Sequence, residues 1–213
     1  MRDMQTAKLI KIDAGRTRGA MDYQAYFTGH LDRDPRVTFI NDEARSRLER
    51  DKAKHDIVQI SLIDTWAAQG AGAFALTENS LYTTQAWELF MHRLTPHGML
   101  SVTRFYSFPG DDGPLEMYRT TALAAQALKN LGVKNPRDHI LIYRGELSSF
   151  NVRLATILVS PDGFTKAQRA GIERIAAEFR ARCAGDWPRL ASDDYARAHL
   201  CAHLAGAALH AGL

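Results

Sequence analysis

Six short runs that are almost continuously apolar or β-branched alternate along this chain with longer stretches whose apolar residues recur every three or four positions. Strands covered on both faces read in this way, so the alternation predicts an α/β domain built on a largely parallel sheet. The strand runs are Lys8 to Asp13, Val37 to Asn41, Ile57 to Ile63, Met99 to Phe105, Ile140 to Arg144 and Val152 to Ser160. The helical patterns are Glu43 to Ala53, Thr84 to Leu94, Glu116 to Leu131 and Thr165 to Cys183, each able to lay one apolar face on the sheet. Leu131-Gly132 is a helix C-terminal stop, and the Thr165 hydroxyl stands where it can cap the last helix. The last two strands are joined only by Gly145 to Asn151, too short for a right-handed helical crossover, so they are expected to pair antiparallel. The sheet is therefore expected to be mostly parallel and to end in an antiparallel hairpin.

With 213 residues, 46% hydrophobic and 24% charged, the chain is expected to fold as one globular core. Its net charge of +3 comes from scattered lysines and arginines, without the basic run that would track a nucleic acid backbone. Two cysteines, Cys183 and Cys201, are too few for a disulfide framework, and no stretch has the apolar length of a membrane helix or a signal core. A reducing cytoplasm is the expected setting. His199, Cys201, His203 and His210 invite a metal reading, but that segment offers no nearby carboxylate, and a solvated helix face with no metal is expected.

Ligands of open α/β sheets bind beyond the carboxyl ends of the strands. Three segments lie there: Asn41 to Arg45, Ser61 to Trp66 and Thr77 to Thr83. The stretches DPRVTFINDEARSRL, HDIVQISLIDTWAAQGAGAFALTENSLYTTQAW and LTPHGMLSVTRF resemble the spermidine synthase-like family, and the resemblance runs from about Lys8 to Leu190. It is strongest with a bacterial branch often fused to membrane segments, none of which this chain shows. It implies a Rossmann-like class I methyltransferase domain over residues 1–190, followed by a helical tail over 191–213.

The resemblance also implies site residues. In the family an acidic residue followed by a small one holds the adenine amino group, and the matching positions here are Glu43 and Ala44, with Asp42 adjacent. The alternative is that Asp42 and Glu43 only cap the helix they begin. An Asp-Ser-Ser-Asp-like turn follows the next family strand, its first Asp accepting a proton from the attacking amine. That first position is Ser61 here, counted with the cofactor contacts, and a hydroxyl without a base cannot take the proton at neutral pH. Asp64 matches the second carboxylate and becomes the candidate catalytic base, or else a loop or cap residue. Trp66, Tyr82 and Trp87 could stack on a ligand or pack in the core; Glu78 and Asn79 could add polar contacts or face solvent.

Phe27 to Leu31 resembles a family Tyr-Ser-Gly-His-Leu segment, and counting back from it puts Lys11 where the family has the acidic residue that holds the ribose, with Asp13 two positions late. No strand and Gly-x-Gly-Gly-like loop precedes Lys8; the rival alignment would make Gly15 and Gly19 that loop's glycines. One N-terminal strand-helix unit is therefore expected to be missing, which would open the middle of the sheet, since the family's first strand lies between its second and fourth. A homodimer or partner chain completing the sheet is open. The resulting expectation is a transferase domain that binds S-adenosylmethionine or decarboxylated S-adenosylmethionine and passes an aminopropyl or methyl group to a small-molecule amine or other nucleophile. The alternative is a non-catalytic remnant or interaction module with the same fold.

Overall fold

The computed structural model describes residues 9–12, 33–61, 80–107, 114–147 and 153–183. The chain divides into two compact units, residues 1–52 and 53–213. The expected boundary at 190/191 lies outside the described residues.

In the first unit β1 (Leu9–Ile12) and β2 (Val37–Ile40) pair in parallel, with Leu9 opposite Val37 and Ile12 opposite Ile40. Helix α1 (Ala44–Arg50) follows β2 after a three-residue turn and buries Leu48. Asp34 leads into β2: its carboxylate accepts hydrogen bonds from the backbone N–H and the Nε of Arg36, both at 2.9 Å. The side-chain bond from Arg36, above all, pulls the Asp34 carboxyl from its ordinary 3.8 down to about 2.

Among the described residues the second unit has four strands: β3 (His55–Ile60), β4 (Leu94–Ser107), β5 (Ile140–Leu147) and β6 (Arg153–Val159). Their order is β3-β4-β6-β5. Strands β3 and β4 are parallel, and β6 runs antiparallel to both β4 and β5, so the expected terminal hairpin is present and its second strand sits inside the sheet. The expected burial on both faces holds for β4 and β6, the two inner strands. The outer strands β3 and β5, which among the described strands have a neighbour on one side, keep exposed positions such as Asp56, Gln59 and Ile142.

Helices α2 (Thr84–His92) and α3 (Leu115–Asn130) contact each other and β4. They bring Trp87, Phe90 and Met91, and Met117, Ala124 and Leu128, into the core. Helix α4 (Lys166–Cys183) covers the opposite face, where Ile172 packs with Met99, Leu158 and Phe164. The helix ends follow their sequence signals. The Thr165 hydroxyl accepts the Gln168 N–H at 3.1 Å while the Gln168 amide oxygen accepts the Thr165 N–H at 2.8 Å, a reciprocal capping box. Gly132, at φ 89°, closes α3: its N–H donates to Lys129 and that of Val133 to Leu128, the paired bonds of a Schellman turn.

The largest boundary difference from expectation is the start of β4, expected at Met99. Strand β4 begins at Leu94, opposite His55, and the next aligned pair is Ile57 with Met99, so Thr95 to Gly98 bulge out of the ladder. His97 takes φ 62° there, its N–H donating to Asp162 at 2.7 Å. A Cβ on Gly98 would lie 3.0 Å from the Thr95 carbonyl oxygen and 3.1 Å from those of Asp56 and His55. These are backbone atoms and cannot swing away. Gly98→Ala is therefore expected to cost about 1–3 kcal/mol, the usual range for overpacking; a denaturant midpoint equal to the parent's would show that the bulge relaxes freely.

Candidate functional site

The residues singled out beyond the strand ends are distributed over both units. At the carboxyl end of β2, in the first unit, Asp42 accepts the Glu43 N–H at 2.9 Å and forms an ion pair with Arg50. The hydrogen bond from Arg50 holds the Asp42 carboxyl below its ordinary range, reinforced by the Glu43 N–H and opposed by partial desolvation. Glu43 is the N-cap of α1, its two carboxylate oxygens accepting the N–H groups of Arg45 at 3.0 Å and Ser46 at 2.8 Å. Ala44 begins the helix. Glu43 therefore caps the helix, and Asp42 does not. A carboxylate has about four acceptor positions, so a cap and a ligand contact can coexist on Glu43.

These acidic side chains set a pH dependence. Asp34 and Asp42 hold their protons less tightly folded than unfolded, so protonation favours unfolding. Their contribution is full above about pH 4, the ordinary carboxylate range, and fades as the pH falls through their lowered values. A carboxylate carbon NMR titration is expected to place the Asp34 midpoint near 2. A midpoint at the ordinary 3.8 would mean that the Arg36 contact does not persist in solution.

In the second unit, Ser61 is exposed at the carboxyl end of β3. Asp64, Trp66, Glu78 and Asn79 lie outside the described residues, as do Gly15, Gly19, the segment 27–31 and the histidines from His199 onward. Lys11 lies in β1, opposite Phe39. Trp87 is fully buried on α2, which makes it core and not a stacking platform. Tyr82 has a structural contact: the Arg104 guanidinium lies 4.5 Å from its ring centroid.

That arginine was not among the candidates. Arg104 is buried near the carboxyl end of β4 and is held by Glu116, in the first turn of α3, which accepts from its Nε at 3.1 Å. Beside it, Arg144 of β5 stacks over Tyr106 of β4 at 5.4 Å, and the register sets Arg104, Ala155 and Arg144 in one row across three strands. A charged residue inside the strand run Met99 to Phe105 was the signal in the sequence. Among the described residues no three metal-ligating side chains gather, and no helix is long and apolar enough to cross a membrane.

Comparison with known proteins gives a limited but consistent picture. No protein-family model matches. Polyamine aminopropyltransferase 2 of Pseudomonas aeruginosa is 35% identical over 81 residues, which is 38% of this chain and 21% of that protein. Over that stretch the chain is similar to the aminopropyltransferase, and its described strands and helices make an α/β build with a mixed sheet. The match spans about a fifth of the relative's length. Among solved structures, a probable spermidine synthase from Corynebacterium glutamicum is similar at 13% identity and TM-score 0.45 over 78% of this chain and 60% of that one. The spermidine synthase from Thermotoga maritima gives 14% and 0.46 over 74% and 54%. A putative rRNA-methylase from Clostridium thermocellum gives 14% and 0.41 over 74% and 89%.

Proposed function

We propose that this chain is a transferase domain that binds S-adenosylmethionine or its decarboxylated form and passes an aminopropyl or methyl group to a small-molecule amine or other nucleophile. The observation that carries this reading is the 35% identity over 81 residues to a polyamine aminopropyltransferase. In the first unit the chemistry of the strand end fits an adenine: Glu43 offers an exposed carboxylate to an exocyclic amino group, Asp42 holds a second negative charge beside it, and Ala44 is small enough for close approach. In the second unit Ser61 offers a hydroxyl, and Asp64 is assigned the base.

The sulfonium supplies the reactivity: the carbon bonded to sulfur is electrophilic, and its bond to sulfur breaks as the acceptor's lone pair bonds to it. The chain's own residues have two tasks, to hold the acceptor in line with that carbon and to take its proton. Asp64→Asn is expected to lower turnover by about 10²-fold or more while leaving nucleoside affinity unchanged.

The second reading, a non-catalytic module of the same fold, draws on two observations. Glu43 is engaged as a helix cap, and Ser61 stands where a first carboxylate is expected. Calorimetric titration with S-adenosylmethionine and with decarboxylated S-adenosylmethionine separates the two. Micromolar binding of either supports the transferase and chooses its donor; no heat from a folded sample at millimolar ligand supports the module. A partner strand completing the sheet, from a second copy or another chain, is part of the same proposal and predicts a change of oligomeric state by light scattering when that partner is added.

A further inference from the structure

Tyr82 and Arg104 meet at the end of the sheet where α/β folds receive ligands. Val102 pairs with Ile60, the last residue of β3, so Arg104 projects from β4 two residues beyond that pair, about 7 Å further along the strand. It stands on the face covered by α2 and α3, where the Glu116 carboxylate accepts from its Nε at 3.1 Å and the two side chains form an ion pair. Its guanidinium lies over the Tyr82 ring, 4.5 Å from the centroid. In sequence, Tyr82 stands at the downstream end of the segment that leaves β3 at Ser61 and carries Asp64, Glu78 and Asn79.

The helix that follows does not need this contact. Thr83 caps α2 with its hydroxyl, which accepts the Ala86 N–H at 3.1 Å, and Ala86 and Trp87 are fully buried. Stability does not call for a cation here either. A buried ion pair gains little over apolar side chains of the same volume, and a Leu or Met at position 104 would continue the buried face of Leu100 and Val102 without desolvating a charge. What an arginine supplies and a leucine cannot is direction. Its planar guanidinium is held at the Nε edge by Glu116 and presents a flat cationic face to one ring in one orientation. The contact therefore sets where the chain at Tyr82 enters α2, referenced to β4 and to the start of α3.

We propose that Arg104 is a positioning residue of the transferase and acts through Tyr82: the cation–ring contact fixes the downstream end of the segment that bears Asp64, Glu78 and Asn79, and with it the alignment of acceptor and base. The inference rests on the transferase reading above. It gives Arg104 no contact with substrate. The upstream end of the same segment is fixed by the β3–β4 ladder, which ends at Ile60, and the Tyr82 contact is the second anchor. Alignment is where such a reaction is sensitive, since a misplacement of about 1 Å can cost about 10²-fold in rate.

The test uses the full chain with putrescine as acceptor and each donor in turn, and follows the thioether nucleoside released, at a temperature where circular dichroism shows every variant folded. Arg104→Lys keeps the charge but not the planar face, and Tyr82→Leu keeps an apolar side chain but not the ring. Both are expected to lower kcat by about tenfold or more with the donor's KM within about twofold. Tyr82→Phe, which keeps the ring, is expected to hold kcat near the parent's. Parent-like kcat in Arg104→Lys and Tyr82→Leu would overturn the proposal, and so would a Tyr82→Phe as impaired as Tyr82→Leu, since the hydroxyl and not the ring would then be the point of contact. A parent chain that releases no nucleoside sinks the transferase reading, and the anchor is then decided by amide exchange between Ser61 and Tyr82, read by mass spectrometry. A severalfold rise in Arg104→Lys and Tyr82→Leu but not in Tyr82→Phe supports it; equal exchange in all four chains overturns it.

Discussion

Trp87→Ala is expected to cost about 3–5 kcal/mol, enough to lower the melting temperature by on the order of 10 °C. Trp87 is fully buried on α2, and the neighbouring core, Phe90, Met91 and Leu100, is equally enclosed, so the cavity left behind has no solvent edge through which to collapse. The indole also carries an unusual liability, because its Nε1 is buried without a hydrogen-bond partner. Trp87→Phe therefore removes an unsatisfied donor together with part of the volume, and the two effects oppose each other. Its cost is expected to be about 1 kcal/mol, well below what volume alone would give. Denaturant unfolding of both variants checks this. Equal losses would mean that the indole N–H finds a partner in solution, and a small loss for Trp87→Ala would mean that the α2 packing is looser than the burial implies.

Glu116→Ala is expected to cost about 2 kcal/mol, between the value of an exposed ion pair and that of a fully buried one. The Arg104 side chain retains 10% of its exposure and that of Glu116 38%, so the deletion leaves a largely desolvated guanidinium without its carboxylate. Replacing both partners, as Arg104→Met with Glu116→Leu, is expected to recover most of that loss, since the penalty lies mainly in the desolvated charge and not in the missing attraction. A double-mutant cycle with a coupling near zero would show that Arg104 is held mainly by its stacking on Tyr82. Because Tyr82 precedes α2 and Glu116 opens α3, this one arginine ties the start of both helices to the same strand.

The secondary structure was largely legible in the sequence because each local signal agreed with the tertiary outcome. All six strand runs and all four helical patterns correspond to observed elements. The β4 start was not legible, because Thr95-Pro96-His97-Gly98 has the composition of a turn and becomes a bulge only when the β3 backbone passes against Gly98. Trp87 could be read as rim or core, since aromatics at helical spacing fit both until the partner surface is known. Of the proposed site, the acidic pair after β2 was visible, but not how its cap and ion pair would engage it. Arg104 was passed over inside a strand run, and its contact with Tyr82 joins two segments, which no single one of them encodes.

The insertion of β6 between β4 and β5 also dictates the order in which this chain can become a protein. Strands β4 and β5 share no ladder of their own and meet only through a segment synthesised after both. Until Arg153 to Val159 has emerged, Leu100, Val102 and Thr103 have no antiparallel partner, and β5 has no sheet to join. Folding of the second unit is therefore a late event in the life of the nascent chain, and a product ending before residue 153 would present an open, apolar β4 edge to whatever other strands the cell contains.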